Sequence, residues 1–213
     1  MEHAVEQSRI WGVYENTFQV RDAQYSDLKI VYSMIMELAE DLKADISEDV
    51  KLTEDQFLSD FREGNFQLIV AEKEILKLGK ELNDDEITNP GLKLDVSNTG
   101  NKNNSIVGYA LYFFGYETWT GRIMRLDDIY IRKIYRKLGL GSYLISILAK
   151  ISIGSGCKSL NWQCLDWNTK ALEFYFNKLK ATEEVQEKNG KKFKLVNIEL
   201  SEEEMMSLAS NVS

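Results

Sequence analysis

The chain has 213 residues, 44% hydrophobic and 11% aromatic, with a formal net charge of −8. That suits a single domain with a sizeable core, and the acidic balance disfavours nucleic-acid phosphates as partners. No run of about 18 apolar residues suggests a membrane span, and one histidine (His3) with two cysteines (Cys157, Cys164) nearly excludes Ser-His or Cys-His catalysis, a zinc site and a disulfide framework.

The first residues carry acid and no apolar stretch of the kind a secretory signal needs, so a reduced, cytoplasmic setting is expected. Residues 1–16 read as a mobile arm, and residues 17–213 as one domain. Thr17–Asp22 alternates like a short strand. Ser26 is a plausible N-cap for a helix to about Asp41, with Leu28, Val31, Met34, Ile35 and Leu38 as its apolar stripe. Thr53 through Gln56 fits a capping box opening a second helix with Phe57, Leu58 and Phe61. Acid concentrates between Glu37 and Glu63, opposed only by Lys43, Lys51 and Arg62. A solvated helical face accounts for it; a rim that attracts an amine is the functional alternative.

Phe66–Val70 reads as a strand. The stretch from Glu74 to Asn104 is polar, lacks aromatics and holds the single proline, Pro90. At about 75–104 it reads as an exposed insertion between two hairpin strands, not a domain boundary. Ser105–Tyr116 is apolar nearly throughout and is therefore expected at the sheet centre. A strand from Arg122 to Ile131 leads into a tight basic loop, and a helix from near Ser142 follows. Ser159–Leu165 is a strand, and Asn168 or Thr169 caps a helix through Leu179. Asn189-Gly190 signals a hairpin before a closing strand, Phe193–Leu200, and Ser201 with Glu204 caps a last helix. The order β α α β β β α β α β β gives an α/β mixed sheet with helices on both faces.

The loop Arg136-Lys137-Leu138-Gly139-Leu140-Gly141 stands between a strand and a helix. Glycines there let backbone N–H groups approach a ligand, and the helix dipole favours an anion. The spacing is neither that of a P-loop nor that of the dinucleotide fingerprint. An ordinary strand-to-helix turn has the same form.

Further stretches narrow the choice. They are Ile106 to Phe113, Thr118 to Arg122, Leu126-Asp127-Asp128-Ile129-Tyr130-Ile131, Tyr135-Arg136-x-x-Gly139-Leu140-Gly141-Ser142, Leu165-Asp166-Trp167-Asn168 and Glu173-Phe174-Tyr175, with Glu37-Leu38-Ala39-Glu40 upstream. Together they resemble the GNAT superfamily of N-acetyltransferases, and within it the diamine (spermidine/spermine and thialysine) N-acetyltransferases. Four departures stand out. Asp127 replaces the usual glutamate, Lys137 a usual loop glycine, and Asp41 and Leu42 an aromatic and a glutamate that help bind the amine; the insertion is longer than usual.

The resemblance implies acetyl-CoA as co-substrate, no metal, a small-molecule amine acceptor and a homodimer with sites near the subunit interface. Ile129, Tyr130 and Ile131 would strand-pair with the pantetheine, and the Ile129 N–H would face the thioester oxygen. Lys137, Leu138, Gly139, Leu140, Gly141 and Ser142 would hold the pyrophosphate, with Arg136 adding charge. Asn168 to Ala171 would contact the other side of the CoA. An alkylamine, with a pKa of about 10, must lose a proton before it attacks. Asp127 is the candidate base, acting through water, and Tyr175 the acid for the leaving thiolate. Asp128 and Asp166 would hold a distal ammonium, and Trp162 and Trp167 would wall the acceptor pocket. The structural alternatives are pairing of Asp127 and Asp128 with Arg122 or Arg125, and core packing for Tyr175 and both tryptophans. A peptide lysine acetyltransferase and a silent CoA-binding or polyamine-sensing subunit are the competing functions.

Overall fold

β-Branched and aromatic runs form strands along the chain, and among the described residues these join in one eight-stranded sheet. A computed structural model describes residues 8–15, 17–74, 104–184 and 195–212. The strands are β1 (Ile10–Tyr14), β2 (Phe18–Asp22), β3 (Gln67–Glu74), β4 (Asn104–Glu117), β5 (Gly121–Ile131), β6 (Ser159–Leu165), β7 (Thr182–Glu184) and β8 (Leu195–Ser201). The helices are α1 (Leu28–Asp41), α2 (Glu54–Glu63), α3 (Leu140–Gly154), α4 (Thr169–Glu173) and α5 (Glu202–Ala209). The sheet order is β1-β2-β3-β4-β5-β6-β8-β7, antiparallel except where β5 meets β6. The mixed α/β architecture matches the sequence expectation.

Each face of the sheet has its own core. On one, α3 lays Leu144, Ile147, Leu148 and Ile151 against Val107, Ala110, Met124 and Leu126. On the other, Leu28, Val31 and Met34 of α1 and Phe57 of α2 cover Leu68, Val70 and Tyr109. Burial on both sides is why β4 reads as an unbroken apolar run. Among the described residues no helix is long and apolar enough to cross a membrane.

Four local readings need correction. Residues 10–14 belong to no arm: they pair with β2 as an edge strand. Trp11 donates to the Asp22 carboxylate at 2.6 Å, and the Tyr14 ring lies 4.9 Å from that of Tyr143. Helix α1 follows a short 3-10 turn, Tyr25–Asp27, and the carboxylate that organises its start is Asp27, not Ser26. Asp27 accepts from the Gln24 N–H at 2.7 Å and pairs with Arg21 at 2.6 Å. At α2, Thr53 accepts from the Gln56 N–H at 3.2 Å, but the Gln56 side chain goes forward to Asp60 at 2.9 Å. Helix α3 starts at Leu140, two residues before the expected Ser142. The capping box at Ser201 forms as expected, with both bonds made.

β3 and β4 pair out to Glu74 and Asn104, so the insertion begins and ends at one hairpin rung. Residues 75–103 and the Asn189-Gly190 turn lie outside the described residues.

Candidate active site

β5 and β6 pair at Met124 with Leu160 and at Arg125 with Asn161, and then part. From Leu126 onward the β5 edge that faces β6 has no partner strand among the described residues. The Arg132 N–H donates to the Val107 carbonyl on the β4 side at 2.9 Å. Alternation along an antiparallel ladder then turns the N–H groups of Ile129 and Ile131 the other way, toward the parting. Accordingly, the Ile131 carbonyl accepts from Arg136 Nε at 2.6 Å.

A β-bulge sets the side chains here. Leu111 pairs with Asp128 and Tyr112 with Leu126, which leaves Asp127 as the extra residue on β5. The bulge shifts the alternation by one. Before it, Met124 and Leu126 face the α3 core; after it, Ile129 and Ile131 do. Asp127 is left exposed at the rim, and Asp128 is partly buried.

The parting is a cleft of about 140 Å³. Leu38 and Leu42 wall it from the end of α1, Leu126 to Ile129 from β5, and Trp162 to Leu165 from β6, with Asn168 and Tyr175 closing the far side. Tyr175 rides on a widened π-type turn, Phe174–Lys178, and packs edge-to-face on Trp162 at 5.1 Å between ring centres. Burial raises its hydroxyl above the usual phenol range, helped by Cys164 and Asp128, so it stays protonated at neutral pH. Burial, with the Asp127 charge beside it, pushes the Asp128 carboxyl up to about 6. The Cys164 thiol is pushed up to about 11 by burial. Trp162 Nε1 is buried with no hydrogen-bond partner among the described residues.

Beyond Ile131 the chain makes a short 3-10 turn, Lys133–Tyr135, and then the basic loop. Lys137 and Gly139 adopt left-handed backbone, φ 65 and 86. Gly139 is the N-cap of α3, so the first-turn amides are those of Leu140, Gly141 and Ser142. The Ser142 hydroxyl is buried and has no hydrogen-bond partner among the described residues. First-turn amides, a left-handed approach, a buried hydroxyl without a partner and an open strand edge fit a pantetheine pyrophosphate.

Six expected residues line this one cleft: Asp127, Asp128, Ile129, Trp162, Asn168 and Tyr175. Others do not join them. Asp166 is exposed in the turn after β6, outside the lining, and Trp167 is 39% exposed. The Tyr130 side chain points to the α1 face, where its hydroxyl donates to Glu37 at 3.1 Å. Ala171 packs against the α3-side core. Arg136 does not offer a free charge to an anion, because its guanidinium pairs with Asp41 at 2.6 Å. Arg122 donates to the Ser155 carbonyl at 3.3 Å and Arg125 to Asn161 at 3.5 Å, so neither holds the aspartate pair. The lining also takes in Leu38, Leu42, Leu126, Gln163, Cys164 and Leu165, none of them singled out as a site residue from the sequence. The signal for Leu42 was its place four residues after Leu38, on the same helix stripe.

The family model described as the acetyltransferase (GNAT) family matches residues 50–179. A mouse (Mus musculus) protein named thialysine N-epsilon-acetyltransferase is 34% identical over 174 residues, 81% of this chain and 88% of its own. A human (Homo sapiens) spermidine/spermine N(1)-acetyltransferase-like protein is 28% identical over 74% of this chain and 20% of its own. Among solved structures, yncA of Salmonella typhimurium, determined with its cofactor acetyl-CoA, superposes with a TM-score of 0.59 at 15% identity, covering 88% of this chain and 95% of its own. The chain belongs to the GNAT acetyltransferase family. It is an acetyl-CoA-dependent N-acetyltransferase similar to the thialysine acetyltransferases.

Proposed function

We propose that the enzyme transfers acetyl from acetyl-CoA to a primary amine of a small diamine, polyamine or thialysine-like amino acid, by direct attack in a ternary complex. One observation carries the reading. A single cleft gathers two carboxylates, a protonated phenol and the open backbone edge at Ile129. Amide groups of Ile129 and Ile131 hydrogen-bond the pantetheine arm, and the Ile129 N–H faces the thioester oxygen, where negative charge develops. The first-turn amides of α3 hold the pyrophosphate.

Asp127, exposed at the rim, takes the ammonium proton through water. Asp128 draws the amine inward, and a bound cation favours its ionised form. Tyr175 gives its proton to the departing thiolate. Burial disfavours the phenolate this creates, but the same dry surroundings raise the affinity of the thiolate for a proton. With Asp166 outside the lining, Asp128 is the carboxylate left for a second cation. The homologues named above support an amine acceptor, and we take the working enzyme to be a homodimer, which sedimentation equilibrium would test.

Thiol release from acetyl-CoA, measured against diamines, spermidine, thialysine and a lysine peptide, tests the acceptor class. Turnover of a small amine well above the peptide is expected. Preference for the peptide would overturn the proposal.

A further inference from the structure

Helix α1 ends in two stripes. Leu38 and Leu42, four residues apart, wall the acceptor cleft. Glu37 and Asp41, four residues apart on the next stripe, turn toward the end of β5 and the loop after it. Glu37 accepts from the Tyr130 hydroxyl at 3.1 Å and pairs with Arg132 at 3.1 Å. Asp41 pairs with Lys133 at 2.7 Å and with Arg136 at 2.6 Å. Arg136 in turn donates Nε to the Ile131 carbonyl at 2.6 Å and lies over the Tyr130 ring, 5.1 Å from its centre. Thus one carboxylate holds the arginine that pins the last residue of the open strand edge and opens the loop.

We propose that Asp41 is a positioning residue for acetyl-CoA: acting through Arg136, it fixes the loop 136–142 against the helix end that also walls the acceptor cleft. The inference rests on reading 136–142 as the pyrophosphate loop. Asp41 does not line the cleft, and it stands where the family resemblance places an aromatic. Burial would raise its carboxyl, but the hydrogen bonds from Lys133 and Arg136 outweigh that and hold it below the usual carboxylate range. It is therefore ionised at working pH, with both oxygens engaged.

The sign of its effect separates positioning from bulk charge. A carboxylate near a pyrophosphate site repels the ligand, so Coulomb's law alone has Asp41→Asn tighten CoA binding. Positioning has it weaken binding, because the charged hydrogen bonds that set Arg136 are lost. The test is calorimetric CoA binding, with steady-state kinetics and melting, on Asp41→Asn, Asp41→Glu, Arg136→Gln and the double variant Asp41→Asn/Arg136→Gln.

The expected result for Asp41→Asn is a CoA Kd and an acetyl-CoA KM raised about tenfold, with kcat within about twofold. Asp41→Glu should recover part of the affinity. Arg136→Gln should match the loss, and the double variant should add nothing to it, because the pair acts as one unit. Unchanged or tighter CoA binding by Asp41→Asn overturns the proposal. So does a loss that Glu fails to recover, or losses that add in the double variant. Gly139→Ala separates the two layers. If it weakens CoA binding while Asp41→Asn does not, the loop reading stands and this inference falls. If neither variant weakens binding, the loop reading falls with it.

Discussion

In Tyr175 packing belongs to the ring, and the acid role proposed for it belongs to the hydroxyl. Its ring packs on Trp162 whether or not the oxygen is present. Tyr175→Phe should therefore keep the fold and acetyl-CoA affinity while lowering turnover by about 10² or more, the scale of general acid catalysis. Turnover within about twofold of the parent, read by thiol release, would return Tyr175 to a packing role. Asp127→Asn should cost most near neutral pH and recover in part at higher pH, where the free amine is plentiful; a uniform loss across a pH series would indicate substrate positioning. For Asp128 the folded carboxyl titrates at about 6, against about 3.9 in an unfolded chain. Protonation thus favours the fold below about pH 4, and that contribution is lost as pH rises through about 6. Asp128→Asn should melt above the parent at pH 8 and converge with it at pH 4. A constant gap would mean that the carboxyl's charge is not what costs stability. That Asp127, Asp128 and Tyr175 meet at one cleft was legible because a family motif marks them. Leu42 was not, because a leucine on a helix stripe carries the same pattern whether it meets a core or a cleft.

Among the elements, the mouth of α3 is the most exacting. Gly139 holds left-handed backbone, and a Cβ there would strike the Tyr14 hydroxyl. Gly139→Ala should thus lower melting temperature as well as CoA affinity. Adding Tyr14→Phe should return part of the melting temperature and none of the affinity, since it relieves the collision but not the approach to the ligand. Recovery of both would show that Gly139 matters only for packing against β1. The element order was readable from periodicity, and most strand ends fell within a few residues. β1 was missed because acid and polar residues flank its five residues, and its stability comes from the Trp11–Asp22 hydrogen bond and from Tyr143, which lies far off in sequence. The bulge was present in the sequence as apolar residues at 124 and 126 and then at 129 and 131. Read as loosely apolar, that slip of parity looks like an ordinary strand; read strictly, it locates the extra residue.

Across the molecule, the loop after β5 leads into α3 on one face of the sheet, and the end of α1 on the other face walls the cleft, with β5 between them. The sequence could order these parts but not relate them. The parting of β5 from β6 is a matter of two paired positions and no more, which no local pattern encodes. Because Glu74 and Asn104 already face each other on one rung, a short Gly-Ser link in place of residues 75–103 should leave the melting temperature nearly unchanged. A large fall in a thermal scan would mean that the segment carries part of the core. The contrast with Asp127 is one of arithmetic. Between Glu74 and Asn104 residues could be gained or lost and the β3–β4 register would keep count. At position 127 one residue is looped out of the count, as an inserted letter is skipped so that a message stays in frame. Its loss would therefore leave the downstream residues on their present sides, Ile129 still toward α3 and Tyr130 still toward α1, and would take only the rim carboxylate from the cleft.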